Sequence, residues 1–249
     1  MESISDTASI QKLISNRLDE SAIGDKSIAG IIGDSPSHYS KSPALWNAAF
    51  SRLGMKTIYL PFDVDDARVG ALLCTLRNSQ CFMGVNVTVP HKVRVIDFLD
   101  ELDGGAARIG AVNTIVKNPD GKATILEPYS ALAPANPPIM SVGQGANFEQ
   151  QWRAHAAADI TANNRSTESL VQSIPQDTRF YDLVYHPEET VFLRQGRLTG
   201  HRTMNGKSMI VHQAVRAFCK HVCLQQLSAI GKNDDETFYR VTEVMFRAW

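Results

Sequence analysis

Apolar positions along the first half of the chain switch repeatedly between a period near two and a period near 3.6, the pattern of strands exchanging with helices. Ile10, Leu13, Ile14 and Leu18 fall at helical spacing and predict an N-terminal helix, interrupted by Gly24 and Asp25. Ile28 to Ile32 is a short apolar run ending in Gly33-Asp34-Ser35-Pro36, which reads as a buried strand feeding a loop. Ser42 offers an N-cap, Pro43 suits the first helical position and Gly54 follows the last turn. A helix is expected between them, with Leu45, Trp46, Ala49, Phe50 and Leu53 buried. Thr57 to Phe62 predicts a second strand, and Asp65 or Asp66 can cap a helix carrying Val69, Leu72, Leu73 and Leu76. Phe82 to Val89 predicts a third strand, which Pro90 ends, and Val93 to Leu102 a helix. Ile109 to Val116 predicts a further strand closed by the turn Asn118-Pro119-Asp120-Gly121.

The pattern breaks where prolines 128, 134, 137 and 138 gather among small residues, the best linker candidate. Beyond it, Ile139 to Val142 predicts a strand, Gly143-Gln144-Gly145 a turn, the stretch through Trp152 and His155 a helix, and Asp159 to Ala162 a strand. Tyr181 to Tyr185 predicts another strand. Ile210, Ala214, Ala217, Phe218 and Val222 mark the apolar face of a helix from about Ser208, and Phe238, Val241, Met245 and Trp249 that of a final helix. No internal repeat is visible. The fold class is α/β with a parallel or mixed sheet covered by helices.

Composition narrows the function more by exclusion. A chain of 249 residues, 43% apolar and 20% charged, can bury a sizeable core, and a net charge of -1 gives no footprint for nucleic acid. No apolar run is long enough to span a bilayer, and Met1 to Asp6 lacks the basic and apolar regions of a signal peptide, so a soluble, cytoplasmic protein is expected. Cys219-Lys220-His221-Val222-Cys223 has the look of a metal pair without a second ligand pair nearby, and no metal site is expected.

Ligands of open α/β sheets sit at the carboxyl ends of strands, and three polar clusters fall there. Ser40 and Ser42 follow the first strand, Asn86, Thr88 and Lys92 the third, and Asn113 and Thr114 lie in the strand closing the first block. Hydroxyls, amides and one ammonium suit an anionic, hydroxyl-rich small molecule, each of whose polar groups needs a partner once desolvated. Ser42 could serve only as a cap, and Lys92 only as a solvated lysine. A cation in the first turn of a helix opposes the helix dipole, which favours a functional reason for Lys92, and partial burial would lower its pKa toward acid/base range.

Gly33 followed by Ser40-Lys41-Ser42-Pro43, then Asn86-Val87-Thr88-Val89-Pro90-His91-Lys92, then Ile109-Gly110-Ala111-Val112-Asn113-Thr114-Ile115 resemble three signatures of the shikimate dehydrogenase family's substrate domain. Asp182-Leu183-Val184-Tyr185-His186-Pro187 and Gly206-Lys207-Ser208-Met209-Ile210-Val211-His212-Gln213-Ala214 are similar to its C-terminal signatures. The resemblance implies an α/β substrate-binding domain over 28–125 after a helical extension over 1–27, a linker over 126–138, a reduced Rossmann-like segment over 139–200, and C-terminal helices over 201–249 that return to the first domain. It implies further that Ser40 and Ser42 bind a substrate carboxylate, that Thr88, Lys92, Asn113 and Gln213 face ring hydroxyls with Asn86 in the same substrate site, that Tyr185 lies beside the pocket, and that Lys92 is the catalytic acid/base. On the cofactor side, Gly143 and Gly145 would belong to a phosphate-binding turn, and Asn164 and Arg165 to an NADP 2′-phosphate site.

Departures from that family are equally specific. The aspartate that pairs with the family's lysine falls at or near Tyr129, with Glu127 the nearest carboxylate; Trp46 stands where histidine is frequent; Phe148 occupies a position that favours a small residue. About 20 residues separate Ser166 from Tyr185, too few for the family's nicotinamide half. The sequence alone therefore favours non-redox chemistry on a shikimate-type acid, a dehydration, isomerisation or cyclisation with Lys92 as acid/base and either no cofactor or NADP. The alternatives are an NADP-dependent shikimate or quinate dehydrogenase and a ligand-binding regulator, and a homodimer is possible through the terminal helices.

Overall fold

The computed structural model describes residues 2–118, 123–125, 165, 168–169 and 171–249, with backbone alone for 2–5 and 123–125. The chain divides into two compact units, residues 1–135 with 211–249, and residues 136–210.

In the first unit, β1 (Ser27–Gly33) is nearly all buried and pairs in parallel with β2 (Thr57–Asp63) on one side and β3 (Phe82–Val87) on the other. The sheet continues antiparallel through β5 (Thr114–Lys117) and β6 (Ala123–Ile125), and β4 (Glu101–Leu102) closes it, in the order β2-β1-β3-β5-β6-β4. Because β5 runs against β3, its first residues lie at the carboxyl end of the parallel strands, where Asn86 pairs with Thr114.

Strand alternation assigns the two faces. Ile28, Ile32, Phe62, Val85, Val87 and Ile115 join one core with Ile10 of α1 (Glu2–Gln11) and with Leu72 and Leu76 of α5 (Val69–Asn78). The opposite face carries Tyr59, which stacks on Trp46 of α4 (Ser42–Leu53), and this indole meets Phe50 and Phe218. On that face Gly84 admits Val222: a Cβ there would stand 3.2 Å from Val222 Cγ2. Val222 ends a π-helical turn (Phe218–Val222) that follows α8 (Lys207–Ala217), and α9 (Leu224–Ala229) and α10 (Asp235–Ala248) complete the unit, the last packing on α4.

β2 is an edge strand whose outward backbone groups at Tyr59, Pro61 and Asp63 are occupied. The Asn47 side chain takes both polar groups of Tyr59, at 2.8 and 3.0 Å. Asn16 takes the Pro61 carbonyl at 3.0 Å and the Asp63 N–H at 2.8 Å, and Pro61 has no N–H to leave open. Two amides thus mimic a neighbouring strand, blunting an edge that would otherwise template pairing.

The second unit, where described, holds β7 (Arg179–Tyr181) and β8 (Arg202–Met204) in parallel, joined through α7 (Val191–Leu198), with Phe180, Leu193 and Val171 as its small core. Among the described residues no helix is long and apolar enough to cross a membrane.

Several elements differ from the sequence expectation. The first helix ends at Gln11; Ile14 and Leu18 are buried on an irregular segment that Gln11 ties down by bonding the Asn16 carbonyl and the Leu18 N–H. Lys41, not Ser42, precedes the first turn of α4, and the Ser42 N–H is taken by Ser40 Oγ at 3.2 Å. Val93 to Leu102 breaks into a 3-10 turn (Arg94–Phe98) and β4, and Ile109 ends α6 (Gly104–Ile109) instead of starting a strand. Asp103 caps that helix through the N–H groups of Gly105 and Ala106, and Gly110 closes it at φ +70°. Strand β7 stops at Tyr181, short of Tyr185. The expected linker, the strands over 139–142 and 159–162, the helix between them and the turn at 118–121 beyond Asn118 lie outside the described residues.

Candidate active site

The carboxyl end of β1 lies against the carboxyl end of β3 so closely that only glycine fits. A Cβ on Gly33 would stand 2.5 Å from Thr88 Cγ2 and 3.2 Å from both Pro36 Cδ and Tyr39 Oη. Thr88 is fixed there by its N–H on the Ile32 carbonyl at 2.9 Å. From Gly33 the chain turns into α3 (Pro36–Tyr39), which Asp63 anchors: its buried carboxylate accepts from the Ser37 N–H at 2.9 Å and from the Ser37 hydroxyl. Ser40 and Ser42 follow directly, both half-buried. Asp63 was not singled out from sequence; an acid closing an apolar strand, Tyr59-Leu60-Pro61-Phe62-Asp63, was the available signal.

A buried polar chain links these loops through the sheet. Tyr59 Oη donates to Asn86 Oδ1 at 2.6 Å, and Asn86 Nδ2 donates to Thr114 Oγ1 at 3.0 Å. Burial pushes the Tyr59 phenol well above its ordinary pKa, which keeps it a donor, and a hydrogen bond from Ser42 opposes that rise. Asn86, Thr114 and Tyr59 are all buried. Tyr59 is the second residue that sequence reasoning missed: as an aromatic in a strand it looked like core, and its hydroxyl partner lies 27 positions away.

Lys92 lies in the turn after β3. His91, buried beside it, sets Nε2 2.8 Å from the Val64 carbonyl, and Val112 donates its N–H to the Lys92 carbonyl at 2.8 Å. Those two ties hold the turn between the ends of β2 and β5. Neighbouring Asn113 is buried and accepts the Val87 N–H at 2.8 Å. Burial lowers the Lys92 pKa, and among the described residues no carboxylate pairs with its ammonium. A lowered pKa eases the loss of the proton, the direction that acid/base work requires.

The structure thus brings Tyr59, Asn86 and Thr114 together by hydrogen bonds, with Thr88, Lys92 and Asn113 on the adjoining backbone, while Ser42 is tied to Ser40. Gln213 is half-buried on α8 and, among the described residues, makes no hydrogen bond to another candidate side chain. Tyr185 is half-buried in the second unit, and Arg165 is exposed. Gly143, Gly145, Asn164, Glu127 and Tyr129 lie outside the described residues. Trp46 is fully buried under Tyr59 and belongs to the core. Burial pushes the Cys219 thiol up to about 12 and Cys223 well above its ordinary value, so neither is a ready thiolate ligand; among the described residues no three His, Cys, Asp or Glu side chains are grouped to hold a metal.

Residues 31–115 match the family described as the shikimate dehydrogenase substrate binding domain. The shikimate dehydrogenase (NADP(+)) of Geobacillus kaustophilus is 30% identical over 255 positions, taking in 78% of this chain and 91% of that protein. The protein of the same name from Desulforamulus reducens is 29% identical over 262 positions, covering 78% of this chain and 89% of the relative. Both alignments are longer than the 249-residue chain, so stretches of each relative have no counterpart here. Among solved structures, shikimate 5-dehydrogenase from Thermus thermophilus in complex with NADP(H) and shikimate has a TM-score of 0.60 at 22% identity, covering 90% of this chain and 100% of that one. The enzyme from Listeria monocytogenes in complex with shikimate and NAD has a TM-score of 0.56 at 23% identity, with 82% and 93% covered.

Proposed function

This chain belongs to the shikimate dehydrogenase family, and we propose that it is a shikimate- or quinate-type dehydrogenase dependent on NADP, working on a small hydroxylated cyclic acid in the cytoplasm. The observation that carries the reading is Lys92, a partly buried amine with lowered pKa beside Thr88 and Asn113 at the carboxyl end of β3. In this reading Lys92 Nζ takes the proton of the ring hydroxyl during oxidation and returns it to the carbonyl oxygen during reduction. Ser40 and Ser42 meet the substrate carboxylate, while Thr88, Asn113 and Gln213 meet ring hydroxyls, with Asn86 behind them; Tyr185 is a further substrate contact that the family resemblance implies. NADP, when bound, supplies the hydride acceptor. Arg165, an exposed guanidinium, has the planar donor set that suits its 2′-phosphate, and Gly143, Gly145 and Asn164 are the further contacts the family resemblance implies. Residues 28–125 form the substrate-binding part and 139–200 a shortened nucleotide part. Two copies could pair through their helices.

The sequence-based preference for non-redox chemistry gives way here, because the relatives are named as NADP(+) dehydrogenases. It stands as the second reading on one observation, the lack of a carboxylate on Lys92 among the described residues. Titrating NADPH by fluorescence and following shikimate-dependent NADP reduction separates the two. Micromolar NADPH binding with turnover is the expected result. No nucleotide binding, with loss of water from 3-dehydroshikimate seen by mass spectrometry, would replace the dehydrogenase by a lyase.

A further inference from the structure

The Asn86 side chain offers two carbonyl lone pairs and two N–H groups, and the fold has already used one of each. Its carbonyl accepts from Tyr59 Oη at 2.6 Å, and one N–H goes to Thr114 Oγ1 at 3.0 Å. Those two bonds fix which end of the amide carries the oxygen and which the nitrogen. That fixed direction depends on Tyr59, whose ring is held by its stack on Trp46 at 4.6 Å and whose backbone is clamped on both sides by Asn47. An amide without such a clamp can turn over and exchange its two ends.

We propose that Tyr59 is a positioning residue of the site: its hydroxyl on Asn86 Oδ1 holds the Asn86 amide in one orientation, so that the amide meets a ligand with its oxygen and nitrogen already assigned. The proposal rests on the shikimate-type reading of the site. Its consequence is that removing the tyrosine hydroxyl costs the affinity that Asn86 contributes.

The test is Tyr59→Phe, which keeps the ring and its stack but removes the hydroxyl. Calorimetric titration with shikimate is expected to show binding weakened by about tenfold, the scale of one buried hydrogen bond to an uncharged partner. In an Asn86→Ala background, adding Tyr59→Phe is expected to change binding far less, since the tyrosine acts through the amide; a merely structural tyrosine would weaken both backgrounds equally. If Tyr59→Phe fails to fold, Thr114→Val reads the same chain from its other end and is expected to weaken binding in the same way, again only where Asn86 is present. Equal affinity in wild type and variant, or equal weakening in the wild-type and Asn86→Ala backgrounds, overturns the role of Tyr59 alone. A wild-type protein that binds neither shikimate nor quinate overturns the shikimate-type reading and this proposal with it.

Discussion

Replacing Gly33 by alanine tests how the two strand ends form one site. The added methyl would stand 2.5 Å from Thr88 Cγ2, roughly an ångström inside ordinary contact, and Thr88 cannot retreat as a unit because its N–H is bonded to the Ile32 carbonyl. Overpacking of this kind costs about 1–3 kcal/mol, offset by about 0.4–1 kcal/mol from the stiffer unfolded chain. A net loss of about 1–2 kcal/mol lowers the melting temperature by roughly 3–6 °C in a chain of this size. The Thr88 hydroxyl swings with its methyl, so shikimate affinity is expected to fall about tenfold as that hydrogen bond is lost. The decisive comparison is a pair of double variants. Gly33→Ala with Thr88→Ser removes the clashing methyl and keeps the hydroxyl, and should restore both melting temperature and affinity. Gly33→Ala with Thr88→Ala should restore the melting temperature only. Scanning calorimetry and shikimate titration read the two quantities separately. A Gly33→Ala protein with unchanged melting and binding, or one that Thr88→Ser fails to rescue, refutes the reasoning.

Lys92→Met should reduce NADP-coupled oxidation of shikimate by about 10²–10⁴-fold in a steady-state assay. It should also be at least as stable as wild type at neutral pH. The native state binds the Lys92 proton less tightly than the unfolded chain, so wild-type stability rises as pH climbs through the lowered native pKa toward the ordinary lysine value, and the variant's advantage should shrink over that window in melts at stepped pH; an advantage that grows with pH defeats the assignment. Asn47→Ala strips both partners from the Tyr59 backbone, with an expected cost of about 1–3 kcal/mol and concentration-dependent light scattering as the β2 edge opens. Arg165→Ala should lower NADPH affinity while leaving NADH affinity unchanged, and an equal loss of both would remove the 2′-phosphate role.

What the sequence made legible is local. The buried run of β1, the helix closed by Gly54 and the strand that ends at Asn86-Val87-Thr88 follow from periodicity and chain punctuation within a few residues. Where two local signals compete, the weaker one can look the stronger: Ile109 adjoins a β-branched run, yet the Asp103 cap and Gly110 at positive φ enclose it in a helix. The parts of the site that could not be read are those made by distant partners. Tyr59 meets Asn86 across 27 positions, Asp63 holds Ser37 across 26, and His91 reaches the Val64 carbonyl across 27. Nothing in the neighbourhood of any one of them announces the other, because sheet order and not chain order makes them neighbours.

The division of the chain has a consequence for its birth on the ribosome. The first unit is written in two instalments, 1–135 and 211–249, with the second unit spelled out between them. During synthesis β3 is made long before Val222, the residue that comes to lie on Gly84, so one face of the sheet waits uncovered while the intervening residues emerge. A stalled or prematurely ended chain that stops just before residue 211 carries every strand of that sheet and lacks Phe218 and the helices that follow it. Such nascent chains, with Trp46 and Tyr59 lacking Phe218, are the form of this protein that a cell's holding chaperones would meet.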